Sequence, residues 1–166
     1  ASYNYNNSLG FNDLTIDRSV RDSTGTTYFN SDSYSKFRYR GHNFKFAADF
    51  NLGKQEVLGF VVNGNVSNGS STRQGDNLIA SEKGKLDSVV QGSNFSDFTY
   101  HYLAYNLNYK KTFDTLGTEL TANADYSYSK NNDNSTVKNR FLDPNWTEFK
   151  LPKIFRNDML SNTKIL

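Results

Sequence analysis

The sequence predicts an all-β fold, an antiparallel up-and-down meander, on three observations. Apolar side chains recur at every second residue, helix-type spacing is scarce, and tight turns alternate with long polar stretches. The clearest alternation runs from Phe44 to Leu52. There Phe44, Phe46, Ala48, Phe50 and Leu52 share one parity, and Lys45, Ala47, Asp49 and Asn51 the other. After a tight turn near residues 53–55, Leu58, Phe60, Val62, Gly64 and Val66 again fall on one parity, opposite Gly59, Val61, Asn63, Asn65 and Ser67. Two alternating runs with a short connection signal a hairpin.

A second hairpin repeats the first. Leu103, Tyr105, Leu107 and Tyr109 alternate with Ala104, Asn106, Asn108 and Lys110. A turn through Asp114, Thr115, Leu116 and Gly117 follows. Leu120, Ala122, Ala124, Tyr126 and Tyr128 then oppose Glu119, Thr121, Asn123, Asp125 and Ser127. An offset of 61 residues carries Phe37 to Phe98, Tyr39 to Tyr100, Phe44 to Tyr105 and Phe46 to Leu107. Each copy also changes parity, near Gly41–His42 and at Leu103, as a bulge or a boundary between two environments would require.

The chain reads as one partial domain over residues 1–166, with hairpins near 37–67 and 98–130, no second domain, and long loops near 6–36, 68–97 and 130–158. Asn68-Gly69, Gly75-Asp76, Asp133-Asn134 and Asp143-Pro144 are the turn signals in those loops. Short turns are expected at one edge of the sheet and long loops at the other. The pattern is already strand-like at Ala1 and ends at Leu166 without a terminal device, so the expectation is a piece of a longer chain.

Composition bounds the chemistry. A net charge of +2 is too small to drive nucleic-acid binding, and no nucleic-acid partner is expected. Without Cys, disulfide frameworks, thiol catalysis and Cys-ligated metals are excluded together. The 13 Phe and 11 Tyr beside 22 Asn and 18 Ser argue against disorder, which is poor in aromatics. No apolar run is long enough for a membrane-spanning helix, so if this chain meets a membrane it does so as strands.

Alternation alone fits a soluble sheet with one wet face equally well. Three features favour a transmembrane β-barrel over a soluble β-sandwich, which stays open as the alternative. Expected strands of about 13–16 residues exceed soluble norms. Aromatics cluster at strand ends (Phe37, Tyr39; Phe98, Tyr100, Tyr102; Tyr126, Tyr128) like interfacial girdles, and connection lengths alternate as in outer-membrane barrels.

The run SKFRYRGHNFKFAADFNLGKQEVLGFVVNGNVSNGSS, followed by FTYHYLAYNLNYKKTFDTLGTELTANADYSYSKNNDN, resembles the outer-membrane β-barrel proteins of the TonB-dependent receptor type found in Bacteroidetes. The resemblance covers Ser2 to about Asp133. It implies a bacterial outer-membrane location, a barrel of about 22 strands with an N-terminal plug, and transport of a nutrient rather than catalysis. It also implies three partners: outer-membrane lipid, the rest of the barrel and plug, and a TonB-type energy-coupling protein acting through a region outside this sequence. The rival function is a soluble cell-surface β-sandwich that binds carbohydrate or protein.

Site expectations follow the parity. Phe44, Phe46, Phe50, Leu58, Phe60, Val62, Leu103, Tyr105, Leu107, Tyr109, Leu120, Ala122, Ala124 and Tyr126 are the lipid-facing candidates. Lys45, Asp49, Asn63, Asn65, Asn106, Asn108, Glu119, Asn123 and Asp125 are the lumen-facing ones. Arg18, Tyr28, Tyr34, Arg140 and Trp146, in the expected loops, combine the aromatic and guanidinium chemistry that suits an extracellular ligand. No catalytic residue, cofactor or metal is expected. His42 and His101 lack a nearby third ligand, and the carboxylates fit a solvated lumen better than a hydrolytic pair.

Overall fold

The computed structural model describes residues 1–23, 25–114 and 116–166. Six strands follow in chain order: β1 Ser2–Asp22, β2 Gly25–Gly53, β3 Glu56–Ala80, β4 Ser88–Thr112, β5 Glu119–Leu142 and β6 Glu148–Ile165. Each pairs antiparallel with its sequence neighbour, giving one sheet in the order β1-β2-β3-β4-β5-β6. Strands touch only their sequence neighbours, so the sheet is a single open layer in which β1 and β6 do not meet. The meander expected from the alternation is therefore the observed fold.

Both expected hairpins are longer than their hydrophobic pattern. The β2–β3 ladder runs from Tyr28–Ala80 to Gly53–Glu56, and β4–β5 from Val89–Leu142 to Thr112–Glu119. Most of residues 6–36, 68–97 and 130–158, expected as loops, is strand. The dipeptides Asn68-Gly69, Gly75-Asp76 and Asp133-Asn134 lie inside ladders, and only Asp143-Pro144 opens a turn. The physical reason is that ladder pairing satisfies backbone N–H and C=O groups whatever the side chains are. Where both faces are wet, nothing forces the apolar alternation that marks a strand.

The connections are 23–24, 54–55, 81–87, 113–118 and 143–147. Successive connections lie at opposite ends of the sheet. The proximal end carries 54–55 and 113–118, and the distal end carries the other three. Each end thus mixes short and longer connections, and the expected segregation of long loops to one edge is absent. The tight turn near 53–55 is where the pattern put it. Thr115, inside the second expected turn, lies outside the described residues.

Two longer turns share one device. The Asp114 carboxylate accepts from the backbone N–H of Leu116 and of Thr118 at 3.0 Å each. The Asp143 carboxylate accepts from Asn145 at 2.9 Å and Thr147 at 2.8 Å. In both, the residue three after the aspartate is left-handed: Gly117 with φ 92° and Trp146 with φ 62°. Glycine suits that conformation, whereas tryptophan is strained there.

Glycines within the sheet have a different role. A Cβ on Gly64 would collide with the Phe44 ring, its cross-strand partner, and Gly10 with Phe37 and Gly69 with Phe98 are related in the same way. Each ring lies over the bare backbone of its opposite glycine, covering hydrogen bonds that a larger residue would push it from. Among the described residues, fully buried apolar side chains are confined to Val89 and Leu142, cross-strand partners at the distal end. The described residues form a single layer, so no conventional core is built between layers.

Two measurements check these assignments. Gly64→Val is expected to displace the Phe44 ring and cost about 1–3 kcal/mol in equilibrium denaturation, and an unchanged midpoint contradicts the packing. The Thr118 hydroxyl, then the Thr118 backbone N–H, hold the Asp114 carboxyl below the usual carboxylate range. A folded pKa below the unfolded one means the contribution is complete above pH ~4. It is lost as pH falls through the folded value. Carboxyl NMR titration should place Asp114 below free aspartate, and a midpoint at or above it refutes the cap.

Candidate functional site

Directly paired residues of an antiparallel ladder point to the same face, so register assigns every side chain to one of two surfaces. Four successive rows on one face are Tyr3–Phe44–Gly64–Leu103–Tyr128, Phe46–Val62–Tyr105–Tyr126, Ala48–Phe60–Leu107–Ala124 and Phe50–Leu58–Tyr109–Ala122. Leu120, opposite Lys111, belongs to this face too. All fourteen apolar candidates therefore share one continuous surface. No second layer among the described residues covers it: Phe46 remains 51% exposed, Phe50 54% and Leu107 45%. Phe60, Tyr105 and Tyr126 form a stacked file across three strands, with centroids 6.5 and 6.3 Å apart.

The nine polar candidates occupy the opposite face. Lys45 pairs with Asn63, Asp49 with Gly59, Asn106 with Asp125, Asn108 with Asn123 and Thr112 with Glu119. Their side chains link into short chains. Asn108 donates to Asn106 at 3.2 Å, and Asn106 donates to Asp125 at 2.7 Å. Asn65 donates to Asn43 at 2.7 Å, and Lys110 meets Glu119 at 2.6 Å. Side-chain amides that serve each other as donor and acceptor make a polar wall with exchangeable hydrogen bonds.

Register also explains the change of parity near residues 41–42 and 103. The β1–β2, β2–β3 and β3–β4 ladders pass these points without a shift. The cause is a boundary between environments rather than a bulge. Phe37, Tyr39, Phe98, Tyr100 and Tyr102 consequently lie on the polar-wall face, which corrects their expected place in a girdle around the apolar band. Tyr126 and Tyr128 keep theirs, joined by Tyr3 and Tyr5, whose rings lie 6.1 and 4.8 Å from that of His42.

Charged groups that the sequence reading passed over close the band at both ends. Proximally, Lys111 meets Glu56 at 3.7 Å, and the Tyr109 hydroxyl donates to Glu56 at 2.6 Å. Distally come the rows Tyr5–His42–Val66–His101–Lys130 and then Asn7–Arg40–Asn68–Thr99–Asn132. Their signal was available: each has the parity of the apolar run and lies just beyond its end.

The 61-residue repeat carries geometric information. Phe44 is in hydrogen-bonded register with Leu103 two strands away, but its repeat equivalent is Tyr105. Two residues of slip over two strand spacings is about 6.6 Å against 9.6 Å, an inclination of about 35°. That lies at the edge of the 35–45° tilt of membrane barrels. From His101 to Lys111 along β4 is about 33 Å, or about 27 Å once tilted. An outer-membrane barrel has an apolar band about 25 Å tall.

The five ligand candidates do not form one surface. Tyr28, Tyr34 and Arg140 lie on the apolar-band side, well beyond the band, whereas Arg18 points to the other face with its guanidinium 4.7 Å from the Phe29 ring centroid. Tyr34 packs beside Phe11, and Arg140 is held by Gln91 at 2.9 Å and Glu148 at 3.4 Å. Trp146, 50% exposed, sits in the distal 143–147 turn. Neither known protein-family models nor curated proteins match this chain.

Proposed function

We propose that this chain is part of the transmembrane barrel of a bacterial outer-membrane receptor that admits a scarce nutrient by TonB-type energised uptake. The observation that carries the reading is the uncovered apolar band, continuous over four strands, limited by charge at both ends and of bilayer height when tilted. Lipid offers no hydrogen bonds, so a spanning sheet must close on itself. The outer edges of β1 and β6 have no partner in the sheet, and the remaining strands of the barrel pair there.

In this reading the apolar face meets lipid and the amide-rich face lines an aqueous lumen or contacts a plug. The receptor type rests on the resemblance of the runs that form β2 to β5. Energy coupling then acts through a plug outside these residues, and the distal ladders carry ligand contacts such as Trp146 away from the bilayer. The chain's role is transport, with no catalytic step assigned.

The absence of cysteine permits a direct test. Single cysteines at positions 105 to 109 of the full barrel in lipid vesicles should alternate. Those replacing Asn106 and Asn108 react with a water-soluble maleimide, and those replacing Tyr105, Leu107 and Tyr109 report a lipid-phase quencher. Uniform reactivity, or the reverse phase, rejects the reading. Phe46→Arg and Ala122→Arg should each cost about 2–4 kcal/mol of assembly free energy, with Asn123→Arg tolerated. Equal tolerance of all three, in a chain monodisperse without detergent, supports the soluble sandwich.

A further inference from the structure

We infer that the apolar face carries, immediately beyond the distal edge of its band, a binding surface for phosphate-bearing lipid headgroups, an inference that rests on the membrane-spanning reading above. Its cations are Lys130, Arg40 and Arg38 on three successive rows, followed by Lys36 and Arg156 on the next. Carboxylates at these levels of the same face are Asp97 and Asp158, and Asp97 accepts from Asn134 at 3.2 Å. The two imidazoles, His42 and His101, lie in the Lys130 row, with His42 hydrogen-bonded to the Tyr3 hydroxyl at 2.7 Å.

The distribution is one-sided. On the opposite face, the rows from Asn43 to Phe37 contain no Lys or Arg. At the proximal edge of the band, the corresponding charge is a neutralised pair, Lys111 with Glu56. A requirement for solubility alone would not distinguish the two faces or the two edges. A headgroup layer does, because it adjoins only the lipid-facing side of the sheet and only the border of the hydrocarbon.

Among the described residues, the side chains of Arg38, Arg40 and Lys130 have no ion-pair or hydrogen-bond partner, and the Arg40 Nε is buried without one. Arg38 and Arg40 are two residues apart on β2, so their guanidinium groups are about 7 Å apart at their roots. Two flexible planar forks at that spacing converge on one phosphate, and guanidinium is the side chain best matched to its oxygens. Long aliphatic stems let such side chains lie along the distal border of the band and turn their charged heads toward a headgroup layer.

The full barrel, reconstituted in phosphatidylcholine vesicles, tests this with spin-labelled phosphatidic acid and spin-labelled phosphatidylcholine as probes. The protein-restricted fraction should be enriched in phosphatidic acid. Arg38→Ala/Arg40→Ala/Lys130→Ala should reduce that enrichment at least ~5-fold, the effect of about one interfacial cation. Arg73→Ala/Lys153→Ala, on the opposite face, should leave it unchanged. Equal restriction of both lipids by an inserted barrel overturns the headgroup site but leaves the spanning reading intact. Loss of enrichment when glycerol phosphate is added overturns it in favour of a free-phosphate site. Failure to insert overturns both.

Discussion

The antiparallel hydrogen-bond ladder is the constraint on which every other feature depends. Because pairing is unbroken from Tyr3–Phe44 through Leu103–Tyr128, a side chain's parity on one strand determines its face on all the others. A slip of one residue anywhere would place Asn and Asp among Phe and Leu. With Val89 and Leu142 the only fully buried apolar side chains among the described residues, packing between layers contributes almost nothing to that fidelity. Backbone pairing, aromatic rings over glycines and two aspartate-capped turns supply it instead.

Legibility in the sequence follows from the same constraint. The hairpins around Phe44–Val66 and Leu103–Tyr128 were readable because one face is apolar and the other polar, the condition under which period two is visible. Beyond Gly41 both surfaces carry Ser, Asn, Thr and charge, so the period vanishes although the strand continues. Turn-forming pairs such as Gly75-Asp76 then dominated the reading. Gly75 nevertheless stands in ladder register with Ser33 on one side and Gly92 on the other.

The faces of the polar and apolar candidates were also legible, since parity is a one-dimensional property. The charged limits of the band were not. Lys111, Glu56, Arg40 and Lys130 are far apart in the chain and become a boundary only when four strands are aligned. The positions of Phe37 and Phe98 illustrate a second loss: aromatic residues at a strand end look alike in sequence whether they border the apolar band or cover a glycine on the other side. Only continuity of register through Gly41 and Leu103 separates the two.

The unpaired rims of β1 and β6 bear on biogenesis. Among the described residues each presents a long file of amide and carbonyl groups with no ladder partner within this sheet, and the adjoining surface is oily at mid-height. Such rims zip onto whatever extended backbone arrives first, including another copy of the same chain. In the barrel proposed above, those rims stay open until the neighbouring strands reach them, so the order in which strands are delivered becomes as consequential as the stability of the finished assembly.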